Sequence, residues 1–420
     1  MSRSLDLDRY RQTLALPAFR RFWVGFTLSS FGDGMTRVAP TWWVWETTKS
    51  AEALALLTLA YSGPVIFGGV LAGWLLDRFD RRQVLQIDNA LRGVIVATVP
   101  ILYVAGALEL WHAYVVAAVY GSLFMISLAG GPTVIPQLVP QELLPTANAL
   151  EMLSFTIGSV AGPPLAGLLA GAFGAPNVLL VDAVTYACFV VALAGVPSLR
   201  PSTIEAGGPS ARRSTVSIRD AAGFVFRSPI LRSTTLMYMV VNIGSGLMSV
   251  WLPILADRTL GGGAELYGLL LGVIGAGEVA SALVSGAITL PVTFGRAICL
   301  ALVLGGVSIA VLLPADQVVL VAAALALYGL FTGPLTIWAQ TLRMRIIPGE
   351  MRGRVFALLR TMMQGTLPAG GVLGGWLVVV SSVPAAVAIT AGALIVPGLL
   401  GFRVPELQRD EDEASVSVGL

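Results

Sequence analysis

The stretch GWLLDRFDRR, residues 73–82, puts five charged side chains (Asp77, Arg78, Asp80, Arg81 and Arg82) into ten residues of a chain that is 12% charged. Long apolar runs, roughly 53–76 and 84–107, lie on either side. About 20 consecutive apolar residues cross the hydrocarbon core of a bilayer as a helix. Two such runs joined by a charged turn read as a membrane hairpin, with the helices in lipid and the turn in water.

The same pattern extends along the whole chain. Its 420 residues are 56% hydrophobic and mean hydropathy is +0.82. A soluble domain of this length carries about twice the charge. Twelve runs are long enough to span, at roughly 20–46, 53–76, 84–107, 111–134, 149–173, 177–198, 233–256, 265–290, 296–313, 316–337, 354–379 and 382–403. A membrane β-barrel shows segments of about ten alternating residues instead. The expected fold class is all-α integral membrane, with twelve transmembrane helices. The start, MSRSLDLDRYRQTLALPAFRR, lacks the apolar core of a cleaved signal peptide, so the first membrane helix is expected to direct insertion.

Arginine placement sets the orientation. The N-terminus, the 73–82 turn, the 199–232 stretch, the turn after residue 337 and the C-terminal tail are all rich in arginine, whereas the alternate loops hold Lys49 and Arg258. Both termini and the middle stretch are therefore expected in the cytoplasm. The aromatic cluster Trp42, Trp43 and Trp45 then falls at the outer end of the first helix, where an interfacial belt is expected. Net charge is +2, which says little about partners, because in a membrane protein the placement of charge matters more than its sum; no nucleic-acid partner is expected. Cys188 and Cys299 lie in apolar runs without metal or redox spacing and read as small core residues. No phosphate-binding loop, metal spacing or nucleophile elbow occurs, so neither cofactor nor enzymatic activity is expected, and an ion gradient must supply the energy.

Residues 199–232 form the longest polar stretch and divide the runs six and six. The expected organisation is an N-terminal half, 1–198, a cytoplasmic linker, 199–232, and a C-terminal half with a short cytoplasmic tail, 233–420. Within the linker region, SIRDAAGFVFRSPILRS is amphipathic and reads as a surface helix. The halves repeat at an offset of 208: Pro140 and Glu142 match Pro348 and Glu350, Ala161 and Gly162 match Ala369 and Gly370, and Gly167 matches Gly375. Two pseudo-symmetric six-helix halves with a site between them near mid-membrane form a transporter arrangement.

These residues resemble the major facilitator superfamily. Gly73, Leu75, Asp77, Arg78, Arg81 and Arg82 match its 2–3 loop motif, and Asp80 stands in place of the usual glycine. RFDRR, GDGMTRVAPT in helix 1, and the VPQEL and PGEMRGRV turns look like its efflux branch, which includes enterobactin and macrolide exporters. Gly158, Gly162, Pro163 and Gly167 of helix 5 are similar to the Gly-Pro motif of its antiporters. The likeness implies the major facilitator fold, alternating access and drug:proton antiport. It also implies a cytoplasmic gate made by the 2–3 motif, with Asp77 latching onto the start of helix 11 near Gly353–Arg354. Helix 4 lacks the embedded arginine of many drug/proton antiporters, and the second motif copy has Leu290 in place of its acidic residue.

Charges within the runs mark candidate sites, because each costs free energy in lipid unless paired or used. Asp33 and Arg37 share a helix face and read either as an ion pair or as proton or cargo ligands. Asp88 and Arg92 repeat that spacing and read as a structural pair. Glu278 has no basic residue on its own helix and is a proton or cargo candidate. Asp182 reads as structural and near water, Glu151 and Arg360 as gate or interfacial charges, and His112 as interfacial. The expected function is export of a small organic molecule (a drug, siderophore or secondary metabolite) in exchange for protons. The alternatives are an uptake symporter, a uniporter or a transport-inactive sensor on the same fold. Expected partners are the small-molecule substrate, protons and the lipids of the cell membrane, with the chain acting as a monomer.

Overall fold

The computed structural model describes residues 7–199, 218–287, 292–314, 316–348 and 351–408. These residues form helices and no strands. In chain order the helices are α1 (Leu7–Ala15), α2 (Pro17–Thr36), α3 (Ala39–Thr48), α4 (Ala51–Arg78), α5 (Arg81–Val104), α6 (Leu110–Leu138), α7 (Leu144–Phe173) and α8 (Ala175–Ala194). They continue with α9 (Ile218–Arg227), α10 (Pro229–Ile254), α11 (Gly263–Ala287), α12 (Phe294–Ala310), α13 (Val318–Ile346), α14 (Arg352–Gln364), α15 (Leu367–Val380), α16 (Val383–Gly401) and α17 (Pro405–Gln408).

Ten of the described helical stretches are long and apolar enough to cross a membrane. The first expected run is not a single helix: α2 ends at Thr36 and α3 starts at Ala39. Pro40, in the first turn of α3, has no N–H to continue the preceding ladder. Charge also dilutes this run, which carries Arg20, Arg21 and Asp33. The run expected at 296–313 forms the 17-residue helix α12. Part of the polar stretch 199–232 and the loop position Leu290 fall outside what is described.

The chain clusters into two compact units. Unit 1 comprises Met1–Thr48, Gly63–Ala206 and Gly262–Gly272; unit 2 comprises Lys49–Ser62, Gly207–Gly261 and Val273–Leu420. In unit 1, α2 packs on α7 and α8, and α5 packs on α8 and α6. Phe19, Phe22 and Phe26 share one face of α2 at helical spacing. Phe22 stacks on Phe26 at 5.6 Å, and Phe26 meets the edge of Phe155 at 5.1 Å. Phe189 of α8 closes the cluster. In unit 2, α10 packs on α15 and α16, and α12 on α13 and α16. Phe67, Val94, Val104, Val191 and Val319 point outward and are exposed, as side chains that meet lipid must be.

Three expectations change here. Trp42, Trp43 and Trp45 are buried and form no exposed belt. Trp42 stacks on Tyr267 at 6.2 Å within unit 1, so its indole area is buried against protein. Cys299 is buried, but Cys188 is exposed, because it faces away from the α5 and α2 side of α8. The amphipathic segment forms α9, whose Ala221 and Val225 are buried in a cluster with Leu231, Val355 and Leu359. Its apolar face is thus covered by protein, while Phe226 remains exposed.

Candidate functional site

The break between α2 and α3 lies beside a buried polar cluster in unit 1. Two glycines let α2 come close to its neighbours there. A Cβ on Gly32 would lie 2.1 Å from Asp182 Oδ1 and 2.2 Å from Thr185 Oγ1. A Cβ on Gly34 would lie 2.0 Å from the Gly158 carbonyl oxygen. Gly32 therefore admits the carboxyl of Asp182 against α2, and Gly34 admits the backbone of α7.

Four helices supply the cluster: α2 (Asp33, Thr36), α5 (Asp88, Asn89, Arg92), α6 (Tyr120, Ser127) and α8 (Asp182, Thr185, Tyr186). Asp88 and Arg92, one helical turn apart, pair at 2.8 Å with both side chains wholly buried. Arg92 Nη1 also donates to Asp33 Oδ1 at 3.2 Å and to the Tyr186 hydroxyl at 3.2 Å. Its guanidinium lies 4.7 Å from the Tyr186 ring centre. The same Asp33 oxygen accepts from Tyr120 at 2.6 Å and from Tyr186. Ser127 donates to Asp88 at 2.8 Å. Asp182 accepts from Thr36 and, at 3.1 Å, from Thr185. Asn89 is held by Leu85 O and by Ser29.

Three carboxyl groups thus gather around one guanidinium. Such a buried network is stable only if its members stay paired. Two atoms are left over: Asp88 Oδ1 and Arg92 Nε have no partner among the described residues. Asp33 is the one acid of the three with an opening, its side chain 18% exposed against 0% for Arg92. The arrangement sets one guanidinium between two carboxylates, Asp33 and Asp88.

The sequence pointed to Asp33 and Arg37 as neighbours on one face. In the structure the ion pair of Asp33 runs to Arg92 on α5, and Arg37 is exposed at the end of α2. Arg37 is the C-cap of α2, and its exposure leaves the wholly buried Arg92 as the cation that Asp33 meets. Asp182, expected near water, is buried. Tyr120, Ser127 and Tyr186 were not foreseen, although Tyr186 lies four residues after Asp182 and so on the same face.

Glu278 belongs to unit 2 and is exposed, unlike the buried acid expected there. Its backbone is where α13 crosses: a Cβ on Gly333 would sit 2.8 Å from Glu278 Cα. Glu151 of α7 is buried, and its carboxylate fills the notch left by Gly131, whose Cβ would lie 1.7 Å from Oε1. Arg360 is exposed on α14. His112 caps α6, its Nδ1 accepting from the Glu109 N–H at 3.0 Å.

The helix 5 glycines divide between two contacts. Gly158 and Gly162 lie against α2, while Gly167 lies against the start of α11, where its Cβ would be 2.5 Å from the Ala264 carbonyl. Pro163 is buried, and its carbonyl lies 2.3 Å from the Cβ position of Gly268.

In the charged turn, Arg81 is buried and donates to the carbonyls of Thr133 at 2.8 Å and Leu76 at 3.4 Å. Arg82 donates to Val196 O at 2.9 Å. Arg78 covers the Trp74 ring at 5.8 Å. Asp77 is exposed, and a Cβ on Gly73 would meet nothing within 4 Å. Asp80 is the N-cap of α5: it accepts from Arg82 N at 2.9 Å, from Leu199 N at 3.1 Å and from the Ser198 hydroxyl. Partial burial pushes its carboxyl up, but the hydrogen bonds outweigh that and hold it below its usual 3.8. A carboxylate held low stabilises the fold above its unfolded value, and that contribution is lost as pH falls through the folded value. Asp80→Ala should therefore cost about 1 kcal/mol near neutral pH. In paired thermal melts, the gap from wild type should narrow as pH falls below 3.8 and through the folded value.

The chain matches the family model described as transmembrane secretion effector over residues 12–418. It is 24% identical over 400 residues to the multidrug efflux pump Tap of Mycolicibacterium fortuitum, covering 91% of this chain and 94% of that protein. It is 26% identical over 404 residues to the enterobactin exporter EntS of Escherichia coli, covering 94% and 93%. The crystal structure of the nucleoside transporter NupG superposes with a TM-score of 0.72 at 12% identity, covering 92% of this chain and 98% of that one. At that identity the likeness is one of fold.

Proposed function

We propose, from the premise that the chain belongs to the transmembrane secretion effector family of major facilitator transporters, that it exports a small organic molecule in exchange for protons. The family and the similar proteins are transporters rather than enzymes, and so is this chain, a multi-span protein of the inner membrane. Efflux by Tap and EntS supports outward transport of a drug-like or siderophore-like cargo. The observation that carries proton exchange is the Asp33–Asp88–Arg92 network with Asp182 beside it. Three carboxyls against one guanidinium leave room for two protons at electroneutrality, and a buried site resists net charge.

In the proposed cycle, Asp33 takes a proton from outside and lets go of Arg92. The guanidinium then keeps Asp88 and Tyr186. On the inward side Asp33 gives up the proton and regains Arg92, and the change of partner is felt along α2. Twelve spans in two six-helix halves, 1–198 and 233–420 joined by 199–232, are part of this reading. The broken α2–α3 and the short α12 would be the two spans beyond the ten. Paired contacts at the repeat offset support the symmetry. Gly162 lies on Gly34 of α2, and Gly370, 208 residues on, lies on Ile243 of α10. Lys49 and Asp257, also 208 apart, form an ion pair at 2.7 Å. Both termini are assigned to the cytoplasm from the arginine bias. Asp77 is assigned to a cytoplasmic latch, and the chain is taken to work as a monomer among lipids.

Inverted membrane vesicles acidified inside and loaded with an acridine pH dye test this. With a panel of antibiotics, dyes and organic acids, at least one compound should drive protons out of vesicles holding the chain and not out of vesicles lacking it. An uncoupler should stop uptake of that compound. Uptake unchanged by the uncoupler would remove proton exchange, and accumulation in whole cells would mark an importer.

A further inference from the structure

Unit 2 contains a buried arginine that pairs with no acid among the described residues. Arg343 lies in the last turn of α13 and is 6% exposed. Among the described residues no carboxylate pairs with it. Its guanidinium lies over the Tyr238 ring at 5.1 Å, and Nη2 donates to the Met363 sulfur at 3.4 Å. A thioether is a weak acceptor and an aromatic face carries no full charge. Arg343 Nε and the Tyr238 hydroxyl, both buried, have no partner among the described residues.

The head group also points the unusual way. An arginine near the end of a membrane helix ordinarily snorkels to the headgroups. Arg343 is three residues from Ile346, the end of α13, yet it meets Tyr238, nine residues past the start of α10 at Pro229. That is about 13 Å along the axis of α10. Met363, whose sulfur meets Arg343, also packs against the buried apolar cluster that includes Leu231, Val355 and Leu359. The geometry is a positive fork with idle donors inside an apolar wall.

We propose that Arg343 and Tyr238 form an anion-binding site for the cargo, which is a small, largely apolar molecule bearing a carboxylate or equivalent acid. A guanidinium fork suits a two-oxygen anion, the tyrosine hydroxyl supplies a further donor, and the apolar wall takes the rest. The proposal rests on the export reading above and adds the chemical class of what is exported.

The probes are benzoate and its neutral isostere benzamide, titrated against the full chain in micelles free of anionic lipid and read by tryptophan fluorescence. Benzoate should bind at least about tenfold more tightly than benzamide. Arg343→Gln should weaken benzoate by about 10- to 100-fold and leave benzamide unchanged. Should that variant fail to fold, Tyr238→Phe, which removes a single hydroxyl, should weaken benzoate by about three- to tenfold. Equal binding of the two probes, or benzoate affinity unmoved by both substitutions, overturns the site. So does stabilisation by phosphatidylglycerol, lost in Arg343→Gln, without any benzoate binding: the site would then hold a lipid headgroup. Failure here with proton-driven export of other compounds intact sinks the anion site alone. Arg343-dependent benzoate binding in a chain that exports nothing sinks the export reading alone.

Discussion

Replacing Arg92 with leucine should abolish transport and destabilise the protein by about 3–5 kcal/mol, the usual cost of stranding one member of a buried ion pair. Arg92 is wholly buried and is the sole cation paired with Asp33 and Asp88 among the described residues. Without it, Asp88 keeps Ser127 and Asn89 as neighbours, and Asp33 keeps two tyrosines, but no positive charge is left. Arg92→Lys restores the charge but not the fork that reaches Asp33, Asp88, Ser127 and Tyr186 together. It should recover most of the stability and little of the transport. Thermal unfolding in detergent and vesicle transport, measured on both variants, check this. A leucine variant as stable and active as wild type would remove the network from the mechanism.

Gly158→Leu should be nearly as damaging, for a steric reason. Even the first carbon of its side chain would lie 2.2 Å from the Ser30 carbonyl, a backbone atom that cannot swing aside. Helices α2 and α7 would have to part, pulling Asp33 and Gly32 away from α5 and α8. Overpacking of this kind costs about 1–3 kcal/mol, and more where backbone meets backbone. Gly73→Ala is the matched control from the charged turn. Its added carbon meets nothing within 4 Å and lies within helix α4, so stability should be unchanged or raised by up to about 1 kcal/mol. Expression level and melting temperature of the two variants separate the predictions. Equal damage by both would mean that helix contact is not what the helix 5 glycine is for.

Helix composition and the positions of the apolar runs were legible in the sequence because hydrophobic length alone sets them. The break at Arg37–Val38 was not, since a run of apolar residues does not tell where its ladder stops. Pro40 was the available signal. The partners of the charges were harder still. Four-residue spacing found Asp88 with Arg92, which sit on one helix. The same rule suggested Arg37 for Asp33, whose partner stands on α5 instead, because contacts between helices leave no mark in local spacing. The tyrosines at 120 and 186 look like ordinary apolar-run residues until α6 and α8 bring their hydroxyls to Asp33. Asp80 shows the reverse case: the sequence marks it as standing in place of the usual glycine and as part of the RFDRR likeness to the efflux branch, with no structural role attached. It is the cap of α5.

Proton-coupled export through Asp33 is tested most directly in the acidified inverted vesicles, by comparing wild type with Asp33→Asn. The amide keeps the size and the hydrogen-bonding oxygen of the carboxyl but cannot take up a proton. A compound that drives protons out through the wild-type chain should still bind the variant, as read by tryptophan fluorescence. The compound-dependent proton signal should fall by about 100-fold or more, the smallest contribution usual for a positioned proton-transfer group. A variant that moves protons with the compound at the wild-type rate would contradict the account.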